Sequence, residues 1–283
     1  MLETFRHGET ISEMLEQVED ARKKMYLNEI NLQYKKWKKA NLEISENNEN
    51  TIKQKIKLYM DYRYFLFSKK FRDENTFIKN RKLFETALSE FIYYIIKDLD
   101  IITRGSETCK KDESYSFERA ELPFNFKFEY EKLNNIKNEK ILSISTQKMR
   151  LVICNKLYIK YRLQNRKTFF SEEITIPFVI IETAMVLDDW IILNFHNQVR
   201  RFKMLFPKCI AILVCEVVNS DFKIDVTNLS IDGIYILQQQ TTKMKRKEIS
   251  YEVLLAFINK IQKGLFQEKE DILLKVQKGI LIG

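Results

Sequence analysis

The spacing of apolar side chains changes once along this chain, near residue 120, and that change limits the fold more than any other feature. Before it, apolar residues recur every three or four positions; beyond it, they alternate or run together. Within residues 10–45, Ile11, Leu15, Val18, Met25, Ile30, Tyr34 and Trp37 mark one side of a long amphipathic helix. The polar stretch 45–50 reads as a turn. Ile52, Ile56, Tyr59, Tyr62 and Leu66 then predict a second helix with Thr51 as its N-cap. An antiparallel helical hairpin is the simplest arrangement, with its Tyr and Trp stripes packed inside. A third helix over 79–99 is apolar around much of its circumference, hence buried, with Glu90 embedded in it. A polar loop follows over 103–121.

Beyond residue 120, Phe124, Phe126, Phe128 and Tyr130 alternate as a half-buried strand does. Strands are expected at 141–145, 149–163, 174–184, 209–218 and 231–239, with helices at 188–206 and 249–266. The run from Ile176 to Ile181 is continuously apolar, which places its strand centrally, covered on both faces. A strand, a helix and a strand in succession over 174–218 imply a parallel pair joined by a right-handed crossover. The whole reads as an α/β domain over 76–283 with a basic helical hairpin over 1–75.

The 48 Lys and Arg outnumber the 39 Asp and Glu, giving +9 over 283 residues. The excess is local. Residues 1–20 carry one Arg against six acids (−5), while residues 21–82 carry 17 Lys and Arg against 7 acids (+10). Such a segment suits a polyanion, most often nucleic acid, although a solvated helical face would look the same. The candidate phosphate contacts are Lys35, Lys36, Lys38, Lys39, Lys53, Lys55 and Lys57, with Lys243, Lys245 and Arg246 as a second cluster. No apolar run is long enough to cross a membrane, and the opening residues are too polar for a signal peptide. The four Cys follow neither a metal nor a disulfide spacing, and Cys154, Cys209 and Cys215 read as small core residues. A soluble, reduced, cytoplasmic protein is the expectation.

Four stretches, in order, carry a family resemblance: 80–99 with Glu90, SISTQKMRLVICNKLYIKY (143–161), IPFVIIETAMVLDDW (176–190), and AILVCEVV (211–218) continuing into 230–240. Together they resemble the Bpu-type branch of the Type II restriction endonucleases. The resemblance implies a PD-(D/E)XK fold, a mixed sheet flanked by helices, and Mg²⁺-dependent hydrolysis of phosphodiesters in duplex DNA. In that chemistry carboxylates hold the hard cation and a lysine steadies the developing charge. It also implies a homodimer, or a heterodimer with a related nuclease subunit. Glu90 and Glu182 match the family's acids. Arg150 stands where the metal-binding Asp belongs, and Ala184 where the Lys of Glu-x-Lys belongs.

A guanidinium in place of a carboxylate opposes cation binding, so the resemblance implies a DNA-binding recognition or partner subunit with a degraded metal site. Arg150 should then lie within salt-bridge reach of Glu182 or Glu90. A two-residue register shift would bring Lys148 or Val152 to that place, and neither is an acid. Arg200, Arg201 or Lys203 could reach in from the crossover helix in the role of the missing lysine. The alternatives are an active Mg²⁺-dependent endonuclease using Glu90 and Glu182, and a coiled-coil scaffold with no nucleic-acid role. Glu216, inside an apolar strand, should pair with a basic side chain. Asp188 and Asp189 suit the N-cap of the crossover helix, and His196 a surface position.

Overall fold

The computed structural model describes residues 6–46, 48–68, 71, 81–99, 116–128, 142–161, 170–244 and 247–277. The first long helix expected from the sequence is two. Helix α1 spans Arg6–Gln17 and α2 spans Ala21–Leu42. Asp20 breaks the run: its extended backbone (φ −66°, ψ 119°) caps α2, and its carboxylate accepts from Lys23 N at 2.9 Å. Helix α3 (Glu49–Leu66) is capped by Asn48, one turn before Thr51. Thr51 is instead the third residue of a capping box, its hydroxyl accepting from Asn48 N while Asn48 Oδ1 accepts from Thr51 N. Helix α4 covers Arg81–Ile96.

Strand β1 spans Ser116–Phe128, starting inside the stretch expected to be a loop. The strands expected at 141–145 and 149–163 are one long strand, β2, Leu142–Tyr161. Strand β3 (Phe170–Leu187), helix α5 (Asp189–Leu205), strand β4 (Ile210–Val218), a short β5 (Gly233–Ile236) and helix α6 (Tyr251–Gln277) complete the order. Tyr130, Cys109, Lys245 and Arg246 lie outside the described residues.

The sheet is mixed, in the order β1-β2-β3-β4-β5. β1, β2 and β3 pair antiparallel; β3, β4 and β5 pair parallel, with α5 between β3 and β4. Strand alternation explains why 176–181 is apolar throughout. Val179 and Ile181 enter one core with α1–α4 and α6, while Ile180 and Ala184 enter a second with α5. The helical segment thus shares a continuous core with one sheet face. Trp37 stacks on Tyr62 (4.9 Å, 8°) and Tyr59 on Phe91 (4.3 Å, 14°), so these aromatic stripes are packing. Gly264 lets α6 approach β4, because a Cβ there would collide with Ile210. Among the described residues no helix is long and apolar enough to cross a membrane.

Candidate functional site

Leu151 pairs with Ile181 across the antiparallel β2–β3 ladder. One step further along each strand, Arg150 stands opposite Glu182, and the two form an ion pair (Nε–Oε1 3.1 Å). The expected contact is therefore present, but Glu90 has no part in it. Arg150 Nη1 also donates to the Thr183 carbonyl at 3.0 Å, and Nη2 lies 3.4 Å from Glu85 Oε2 on α4. Ser89, one turn after Glu85, meets Thr183 Oγ1 at 2.5 Å and fixes α4 against β3. These groups border a cleft of about 600 Å³ whose wall includes Arg6, Lys148, Ala184 and, from α5, Trp190, Asn194 and Gln198. Burial raises the pKa of the Glu182 carboxyl, and the neighbouring Arg150 and Arg6 cations partly offset it.

Glu90, expected at the site, is elsewhere. It is buried between α2 and α4, where Tyr94 donates to Oε1 at 2.5 Å and Tyr34 at 3.1 Å. Burial pushes its pKa up to about 7, against the lowering effect of the two tyrosine hydroxyls. At roughly 100° per residue, positions 85 and 90 of one helix face about 140° apart, so only one can face the sheet. The sequence did not single out Glu85: Glu85 with Ser89 and Thr86 with Glu90 are two equal polar i, i+4 pairs on the same helix.

Arg150 bridges the two carboxylates that reach the cleft, and Ala184 is buried in the α5 core with no ammonium to offer. Among the described residues no three His, Cys, Asp or Glu side chains converge as metal ligands. Mg²⁺ does not fit this donor set, because a fixed positive charge already occupies the space between the carboxylates. The lysine substitutes from α5 do not reach in. Lys203 pairs with Asp232 at 2.7 Å, and Arg200 and Arg201 are exposed away from the cleft wall. Lys148 borders the cleft, paired with Glu121 at 3.3 Å.

Of the candidate phosphate contacts, Lys35, Lys36, Lys39 and Lys57 are exposed, and Lys38 is half-buried. Lys53 pairs with Glu49 (2.6 Å), and Lys243 lies 3.5 Å from Asp221. Lys55 must be removed from the set. Its side chain is fully buried, donating to the Tyr94 carbonyl at 2.8 Å and to Asp98 at 3.1 Å. A buried ammonium survives only when so partnered. Lys55→Met should leave the salt dependence of any DNA affinity unchanged while lowering unfolding stability by about 1–3 kcal/mol, measured by urea titration.

The remaining sequence candidates have structural roles. Glu216 is buried against Arg63 and Tyr59, as its strand position required. Asp188 caps α5 through Ile191 N at 2.8 Å. Cys154, Cys209 and Cys215 are buried core residues, as expected. His196 is half-buried rather than on the surface, its Nδ1 accepting from Ser230 N at 2.9 Å. His7 is buried at the centre of the helices, between Thr86 Oγ1 (3.0 Å) and Tyr62 Oη (2.7 Å).

A five-stranded mixed sheet between helices, with a charged cleft where β2 and β3 meet, defines a restriction-endonuclease-like α/β fold. No protein-family model matches the chain, and no curated protein matches it. Among solved structures, the chain is similar to a chain of the native A2B2 tetramer of BbvCI, a Type II restriction endonuclease. The TM-score is 0.63 at 14% identity, covering 93% of this chain and 97% of that one. That likeness carries the fold.

Proposed function

We propose that the protein binds duplex DNA as a recognition or partner subunit of a Type II restriction-endonuclease assembly, with its own hydrolytic site closed. The observation that carries this reading is Arg150, held at once by Glu182 and Glu85 in the cleft of a nuclease-like fold. The PD-(D/E)XK assignment and the Bpu-type branch rest on the four sequence stretches alone. The alternative of an active site built from Glu90 and Glu182 loses its geometry, since Glu90 faces α2 and is absent from the cleft wall. A subunit of this kind needs a catalytic partner or a second copy, and BbvCI itself assembles as A2B2. Affinity comes from Lys35, Lys36, Lys39 and Lys57 meeting phosphates, with counterion release making it salt-dependent.

Gel-shift and cleavage assays on mixed-sequence duplex DNA, with and without Mg²⁺, test the proposal. Binding should be independent of Mg²⁺, fall steeply between about 50 and 200 mM salt, and produce no cutting. Replacing Lys35, Lys36 and Lys39 together by Gln should lower the logarithmic salt slope by about 3. Metal-dependent cutting that Glu182→Ala abolishes would overturn the closed-site reading. Absence of any DNA affinity would overturn the binding role.

A further inference from the structure

The cleft holds one feature that duplex binding does not use. Trp190, on the first turn of α5, is 72% exposed and stands on the cleft wall. Asn194 and Gln198 follow at successive intervals of four, so the three side chains form one stripe along the helix beside the cleft. Arg150, on the same cleft, is fixed by three contacts among the described residues, one through each of its guanidinium nitrogens. Its side chain is 26% exposed. The wall carries three cations (Arg6, Lys148, Arg150) and two carboxylates (Glu85, Glu182), and Lys148 is also paired with Glu121. Ala184, mostly buried, also borders the cleft and adds only a methyl group to its wall.

Resting on the DNA-binding reading above, we infer that this cleft receives a single unpaired nucleotide, its base stacked on Trp190. The volume, about 600 Å³, lies in the range of sites that hold small molecules. A large exposed aromatic offers a face on which any base can stack. The Asn194 and Gln198 carboxamides each offer donor and acceptor, matching the mixed edges of bases. Arg150 and Lys148 offer N–H donors to the attached phosphate without a metal. A base within an intact duplex cannot present its face to a side chain in a concavity; it must first leave the stack. The ligand class is therefore a strand end, a bulge or an extruded base.

Trp190 is also the reporter. The chain has two Trp, and Trp37 is buried at 4% exposure, so fluorescence changes on titration report Trp190. The titrants are a short single-stranded oligonucleotide, a perfect duplex, the same duplex with one unpaired base, and inorganic phosphate. Quenching should occur with the single strand and the bulged duplex, and not with the perfect duplex or with phosphate. Trp190→Ala should weaken the bulged duplex by about tenfold and leave perfect-duplex affinity unchanged. Trp190→Phe should retain most of the preference, and Asn194→Ala should weaken the bulged duplex without affecting the perfect one. Equal affinity for bulged and perfect duplex, equal losses on both in Trp190→Ala, or quenching by phosphate alone would overturn the inference while leaving DNA binding intact. Failure to bind any of the nucleic acids would overturn both.

Discussion

Glu216→Ala is expected to cost about 3–5 kcal/mol of unfolding free energy, read as a lower urea midpoint at unchanged slope. Glu216 lies on β4, between β3 and the edge strand β5, and is fully buried. Its Oε1 accepts from Tyr59 Oη at 2.6 Å and from Arg63 Nε at 2.7 Å, and its Oε2 pairs with Arg63 Nη2. Both donors are on α3, so this carboxylate is the polar contact between α3 and β4. Arg63 is itself buried, over the Phe67 ring at 4.9 Å. Removing Glu216 leaves the guanidinium in low dielectric without its counter-charge, and the penalty is that of an orphaned ion rather than of a lost hydrogen bond. Replacing both residues by Met removes the ion with its partner. The double variant should therefore be more stable than Glu216→Ala. A double variant as unstable as the single one would show that the loss is a packing defect.

The second large effect is a pair of opposed pH slopes. Burial lowers the His7 pKa to about 3 and raises that of Glu90 to about 7. His7 ordinarily titrates at 6.5 and Glu90 at 4.5. The folded His7 refuses a proton that the unfolded chain accepts below pH 6.5. Its stabilising contribution is complete above that pH and falls, by about 5 kcal/mol in all, as pH drops to 3. The folded Glu90 keeps a proton that the unfolded chain releases above pH 4.5. Its contribution is complete below 4.5 and falls by about 3 kcal/mol as pH rises to 7.

Between pH 4.5 and 6.5 the two proton differences have opposite sign and cancel. In Glu90→Gln, stability relative to wild type should therefore rise with pH across that window by about 1.4 kcal/mol per pH unit. His7→Gln should show the reverse slope. Urea titrations at four or five pH values decide it; parallel pH curves for wild type and both variants would mean that neither group is titrating out of its ordinary range.

Local pattern carried a large share of the fold. The apolar spacing in α3, α4 and α5 and the continuous run in β3 follow from periodicity, since each needs only neighbours within a few residues, and the parallel β3–β4 pair follows from the strand–helix–strand order. Where a local choice was close, the sequence reading failed. Asp20 could sit in a helix or cap one, and the three-residue break before α2 turns on that single hydrogen bond. The break between two strands expected near residue 147 vanished because β1 pairs along β2 straight through that point, Gln147 standing opposite Leu122, and this long-range pairing outweighs weak local preferences.

The site divides in the same way. The family resemblance implied that Arg150 would lie within reach of Glu182 or Glu90; the register of the antiparallel β2–β3 ladder, which decides which side chains meet, puts it on Glu182. Which acid of α4 joins them was a matter of helix orientation. A rotation of about 140° separates Glu85 at the cleft from Glu90 in the tyrosine cage, and only the packing of α4 between α2 and the sheet selects one. The same packing turned Lys55 from a surface cation into a buried ion-pair partner. By itself, then, the sequence determined the elements, their order and the charge of the chain, because those depend on contacts near in sequence. The tertiary structure alone decided which charges are buried, which face the cleft and which remain for a partner. Burial is a property of contacts between residues far apart in the chain, such as Arg63 and Glu216.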